Sequence, residues 1–377
     1  MWIDILRGVA ALQVVFFHIR VDLWVGFNEI HQNPQNYAWP ERLLAWGGIP
    51  WAFGSGVMLF FVISGFCVHL PEARKDWPLD FKRYAIRRFF RIYPPYLAAV
   101  LLTILADLAL ARTSGIDPAR EMWAKAAAML QNYSFSGYAW AGQWRTNPSL
   151  WSLPVEVELY LVYPLFFWLL RKIGGFVALL FVGIGSMLAC ALLQLKFPWL
   201  VGNFLMYWLI WCSGAWLAEL YSSGRLPRWS GKWWIALAGS ALLGVASTVK
   251  KWSPAIEAYA WAAFSWILFW WGLQNPRAVQ RPENSVLRAL AFVGTISYSL
   301  YLIHFPFFRI SGAVWKEIFG TKPANLMVPF AFAFVAIVLA AIFYKWIEAP
   351  SHRLARQLAR TPAKPAPTEK LNASVAP

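Results

Sequence analysis

Long apolar stretches alternate with short polar ones along this chain, too long for strands and too uniformly apolar for surface helices of a soluble domain. Runs long enough to span a bilayer as a helix, about 17–25 residues, fall at 2–21, 51–70, 92–111, 149–170, 174–194, 201–221, 233–250, 255–273, 291–310 and 326–347. The pattern predicts an all-α polytopic integral membrane protein with about ten transmembrane helices around a polar cavity. One membrane domain is expected over 1–350. The remainder, 351–377, ends in TPAKPAPTEKLNASVAP and reads as a disordered cytoplasmic tail.

The first run, MWIDILRGVAALQVVFFHIRV, breaks the pattern, because it carries Asp4, Arg7 and His18 inside an apolar stretch. Such groups within a membrane helix mark function. Eleven residues separate Arg7 from His18, which at about 100° and 1.5 Å per residue returns to the same helix face about 16 Å further on. Asp4 lies one turn from Arg7 and can pair with it at i,i+3. These internal charges, with no small-residue cleavage site after them, argue against a cleaved signal peptide.

Composition supports the membrane class: 59% of residues are hydrophobic and 14% charged, against about 25% charged in soluble domains. The net charge of +16 reads as topology and attraction to anionic lipid. No soluble nucleic-acid-binding pattern accompanies it, so no nucleic-acid partner is expected. Seven Lys and Arg between positions 74 and 91 place that loop in the cytoplasm, and both termini with it. The expected location is the cytoplasmic (inner) membrane. Cys67, Cys190 and Cys212 lie in apolar runs without paired spacing, and no metal-ligand cluster is visible.

Five local patterns in order make the chain recognisable: LRGVAALQVVFFH at 6–18, GVMLFFVISGF at 56–66, RRFFRIYPPY at 87–96, SLWSLPVEVELYLVYP at 149–164, and GTISYSLYLIHFP at 294–306 followed by YKWIEAPSHRL at 344–354. Together they resemble the membrane-bound acyltransferase-3 family, which O-acylates sugars, cell-envelope polymers and some natural products. The resemblance implies that Arg7 and His18, which match the family's Arg-x10-His motif, are both needed for acyl transfer. It also implies a role for Glu156, the glutamate of the Trp-Ser-Leu-x-x-Glu pattern.

The chemistry of these residues agrees. A sugar hydroxyl is a poor nucleophile near neutral pH and needs a positioned base. An imidazole, with an ordinary pKa of about 6.5, is largely neutral at pH 7 and can take that proton. His18 is the expected general base; the alternative is an imidazole hydrogen-bonded between helices for packing. Glu156 is expected at a similar depth, to orient the imidazole or bind an acceptor hydroxyl, with a structural hydrogen bond as its alternative. Arg87, Arg88 and Arg91 lie just inside the membrane on the cytoplasmic side. With Arg7 they are candidates to hold the phosphates of a cytoplasmic acyl-CoA, with acetyl-CoA the first choice, against the ordinary positive-inside bias. Helix nine adds Ser297, Tyr298, Tyr301 and His304 as pore lining, and Asp107 is an intramembrane acid with no evident partner.

The expected protein is therefore a membrane O-acetyltransferase. It carries an acyl group from cytoplasmic acyl-CoA to a saccharide or glycan hydroxyl on the extracytoplasmic side, without a metal. A succinyl-CoA enzyme, a lipid or macrolide acceptor, and a glycan or lipid transporter are the alternative readings.

Overall fold

A computed structural model describes residues 1–75, 78–114, 120–133, 144–195, 203–276 and 283–359. Of the tail expected over 351–377, residues 351–358 are helical, within Ala349–Leu358, and the stretch from 360 onward lies outside the described residues, as does most of the aromatic loop, at 134–143. Among those described, the secondary structure is helical and contains no strand. The long helices are α1 (Trp2–Ile19), α2 (Gly56–His69), α3 (Phe81–Ser114), α4 (Ser152–Ile173), α5 (Gly175–Leu195) and α6 (Phe204–Ser222). They continue with α7 (Lys232–Lys250), α8 (Pro254–Gln274), α9 (Ser285–Thr295), α10 (Ser297–Phe319) and α11 (Met327–Phe343). A π-helical turn at Tyr344–Glu348 then leads into α12 (Ala349–Leu358).

Among the described residues, seven helical segments are long and apolar enough to cross a membrane, or eight if α9 and α10, bent by 76°, form one broken span. This is a multi-pass membrane protein. The expected count of about ten spans is not reached on length and hydropathy. Two of the ten runs fall on α6 and α8, which are helices of 19 and 21 residues. Their tryptophans, with polar N–H groups, lower the hydropathy of these two helices, and Trp208, Trp211 and Trp270 are buried within the bundle.

Membrane helices associate through close packing of small residues, since lipid is as apolar as the helix surface. Two reciprocal glycine pairs do this here. A Cβ on Gly8 of α1 would overlap the Leu290 carbonyl of α9, and one on Gly294 would overlap the Asp4 carbonyl of α1. Likewise a Cβ on Gly65 of α2 would overlap the Trp211 carbonyl of α6, and one on Gly214 that of Val62. Each pair sits beside a polar residue that the helices bring inward, Arg7 in the first and Ser64 in the second.

Two apolar clusters form the interior. One is built largely from α2, α4, α6 and α8, the other from the end of α1 with α3, α10 and α11. Val57, Phe60 and Tyr298 pack against both, so a seam runs between the clusters. The polar residues of the site lie along that seam.

Candidate active site

A cavity of about 120 Å³ opens in the seam, lined by Arg7, Arg88 and Arg91 together with Ser64, Glu156 and Tyr301. On α2 its wall runs from Val57 to Val68, about 16 Å of helix. The long axis therefore follows the bundle from the arginine end toward the Ser152–Tyr301 end. Arg87 does not line it: of the four arginines expected at one anion site, the cavity receives Arg7, Arg88 and Arg91.

The three guanidinium groups differ in how they are held. Arg91 is tied to Glu348, with Nη1 3.1 Å from Oε1, and lies 2.8 Å from His352 Nε2. Glu348 is wholly buried, and its other oxygen accepts from the Ser299 backbone N–H and hydroxyl at 3.2 and 2.6 Å. The wide π-helical turn at Tyr344–Glu348 is what carries this carboxylate inward from the end of α11. Arg88 instead lies between the rings of Tyr84 and Tyr160, 5.9 and 5.6 Å from their centroids. Its Nε is buried and unpaired, and no ion pair is present at Arg88 or Arg7 among the described residues. Asp4 does not fulfil the pairing expected with Arg7; its carboxylate lies 3.3 Å from the N-terminal amine. The Ser297 hydroxyl, also on the cavity wall, is a second buried polar group without a partner. Buried polar groups left open are costly, so the cavity wall keeps these groups available to a polar occupant.

Glu156 accepts through Oε1 from the Ser64 hydroxyl at 2.8 Å and from the Tyr160 hydroxyl at 2.6 Å. Ser64 in turn accepts from Trp211 Nε1 at 3.2 Å. The carboxylate is thus fixed on the cavity wall among neutral donors from α2, α4 and α6. It is not hydrogen-bonded to His18, so the expected carboxylate–imidazole arrangement is not what the structure shows.

The partner of His18 is another histidine. His18 Nδ1 lies 2.9 Å from Nε2 of His304, a wholly buried residue of α10. His304 Nδ1 lies 2.9 Å from the Leu300 carbonyl oxygen. The imidazoles meet edge to edge and nearly coplanar, with ring centroids 5.2 Å apart and an interplanar angle of 22°, and the Phe305 ring is inclined at 69° to that of His18. His18 does not line the cavity; Tyr301 does, and its ring packs against that of His304 with centroids 6.0 Å apart. The Tyr301 hydroxyl donates to the Ser149 carbonyl at 2.5 Å and lies 2.6 Å from the Ser152 hydroxyl.

Two further polar clusters are present: the sequence singles out Asp107 but not its partners, and it does not reveal the second cluster. Asp107 is buried and accepts from Trp123 Nε1 at 2.9 Å, from Trp144 Nε1 at 2.6 Å and from the Thr146 hydroxyl. Those donors pin the segment between α3 and α4 to the bundle. At the arginine end, wholly buried His69 lies 2.8 Å from Glu219 Oε2, which Arg171 also holds. Polar residues closing the same end of two apolar runs were the available signal for that cluster. Among the described residues, no His, Cys, Asp and Glu group could hold a metal ion.

Residues 1–346 match the model of a family described as an acyltransferase domain. Nodulation protein 10 of Rhizobium leguminosarum bv. viciae is 28% identical over 337 residues, covering 80% of this chain and 81% of that protein. The peptidoglycan O-acetyltransferase OatA of Listeria monocytogenes serovar 1/2a is 24% identical over 373 residues, covering 92% of this chain. The chain spans 55% of the length of that Listeria protein. No solved structure matches.

Proposed function

We propose that this chain, which belongs to the acyltransferase domain family over residues 1–346, is a membrane O-acetyltransferase. It moves an acetyl group from cytoplasmic acetyl-CoA to a hydroxyl of a saccharide or cell-envelope glycan on the extracytoplasmic side. The observation that carries the donor assignment is the cavity, with Arg7 and Arg88 unpaired at one end and Tyr301, packed on His304, at the other. Three phosphate groups of a CoA head meet guanidinium groups suited to forked hydrogen bonds. The narrow space beyond them suits the slim arm that carries the thioester.

His18 takes the proton of the acceptor hydroxyl as its oxygen attacks the acyl carbon. The carbon–sulfur bond breaks, and the thiol, with an ordinary pKa of about 8.5, leaves needing little protonation. Glu156, fixed by Ser64 and Tyr160, serves the donor arm in the cavity and does not orient the base. Arg7 and Arg88 hold the head, and Arg91 is held mainly by Glu348. The name of the Listeria relative supports a glycan acceptor. In this reading both termini lie in the cytoplasm and the protein in the inner membrane, as the Lys and Arg bias favours.

The test is release of free CoA from acetyl-CoA by purified protein in detergent, with and without a panel of glycan acceptors, beside His18→Ala. Acceptor-stimulated release that disappears in the variant is expected. Folded protein that neither binds acetyl-CoA nor releases CoA would overturn the donor assignment, and succinyl-CoA would be tried next.

A further inference from the structure

We infer that His304 is the positioning residue for the base, holding His18 in the tautomer whose Nε2 lone pair is free to take the acceptor proton. The inference rests on the reading of His18 as base. Its geometry is a hydrogen-bond chain with one consistent assignment of protons. The Leu300 carbonyl can only accept, so His304 Nδ1 carries a hydrogen and donates to it. Neutral His304 then has a lone pair at Nε2, and His18 Nδ1, 2.9 Å away, must be the donor. The proton of a neutral His18 is thereby placed on Nδ1, and Nε2 is left bare.

The surroundings suit this role. His304 is wholly buried and held on three sides by Tyr301, Phe305 and Phe308, so its ring cannot turn away. No carboxylate among the described residues is hydrogen-bonded to either imidazole. The charged groups nearby are Arg20, which stacks on Phe17 at 4.6 Å, and the Asp22–Arg309 ion pair at 2.9 Å. A carboxylate in the third position of a triad fixes tautomer and orientation and stabilises the imidazolium; His304 supplies the first two without a buried negative charge. During transfer the acceptor O–H proton moves to His18 Nε2, the oxygen lone pair bonds the acyl carbon, and the thioester sulfur leaves with the carbon–sulfur electron pair. His18 Nδ1–H stays directed at His304 throughout.

The test uses full-length protein in detergent with ¹⁵N-labelled histidine. Imidazole nitrogen shifts read the tautomer of His18, assigned by its loss in His18→Ala, without any activity being needed. Nδ1-protonated His18 is expected in the parent protein. It is kept in His304→Gln, whose amide oxygen can stand near the original Nε2, and lost in His304→Phe, which fills the space but accepts nothing. The kcat of His304→Phe should fall by about 100-fold, at the lower end of what a general base contributes, with the acetyl-CoA KM unchanged and partial rescue in His304→Gln. His18 protonated at Nε2 in the parent protein would overturn the inference, as would full kcat in folded His304→Phe while His18→Ala is inactive. Should His304→Phe fail to fold, the parent spectrum and His304→Gln still decide it. Full transfer by His18→Ala would instead overturn the reading of His18 as base.

Discussion

Arg88 and Glu348 give a pair of substitutions in which ligand binding and folding separate. Arg88 lines the cavity and has no acidic partner, whereas Arg91 is fastened to the wholly buried Glu348. Replacing Arg88 with Gln removes two cation–π contacts, at 5.9 and 5.6 Å, each worth about 0.5–1 kcal/mol. It also removes a guanidinium whose buried Nε has no partner, which offsets part of that loss. Stability should therefore stay within about 1 kcal/mol of the parent protein. A charge-assisted hydrogen bond to a phosphate oxygen is worth about 1.5–3 kcal/mol, so the acetyl-CoA KM should rise about 10- to 150-fold. Because the phosphates are bound alike in ground and transition states, kcat should change little.

Glu348→Gln acts in the opposite sense. It takes the counter-charge from half-buried Arg91 and weakens acceptance from the Ser299 backbone N–H and hydroxyl, a loss of about 1–3 kcal/mol. Thermal unfolding in detergent, run beside donor titrations of CoA release, measures both effects in the same preparations. An unchanged acetyl-CoA KM in folded Arg88→Gln would refute the phosphate role of Arg88. A melting temperature as low in Arg88→Gln as in Glu348→Gln would refute the argument that the two cations are held differently.

Three other outcomes follow from the packing. Gly214→Ala puts a Cβ on the Val62 carbonyl oxygen, so α2 and α6 must separate; a sharply reduced monodisperse peak on size exclusion is expected, and a normal one would show that the contact is soft. Asp107→Asn leaves one acceptor oxygen where Trp123, Trp144 and Thr146 now share two. That should cost about 1–3 kcal/mol locally and speed tryptic cleavage at Lys125, read by mass spectrometry. Tyr301→Phe removes the hydroxyl between the Ser149 carbonyl and Ser152; a loss of about 1–3 kcal/mol is expected on thermal unfolding.

What the sequence shows well is whatever depends on one helix at a time. The apolar runs at 2–21, 92–111 and 149–170 lie on α1, α3 and α4, because the length of an apolar stretch measures membrane thickness directly. The Arg7–His18 stripe is legible for the same reason, since an eleven-residue spacing fixes a face. Partners across helices are a different matter. Depth along two helices places Glu156 and His18 at similar levels, but depth says nothing about which neighbour lies alongside. The bend of 76° at Thr295–Ser297 turns α10 so that His304 fills the place next to His18, and residues 286 positions apart carry no periodic signal of their meeting. Arg91 is similar: its place in a basic run suggests a phosphate, and only the π-helical turn before α12 brings Glu348 against it. The same limit explains Asp107, whose donors come from a segment whose composition alone does not say where it folds back. Intramembrane polar residues are thus recognised from sequence as important, while the pairings that decide their roles are set by helix bends and bulges that local patterning does not encode.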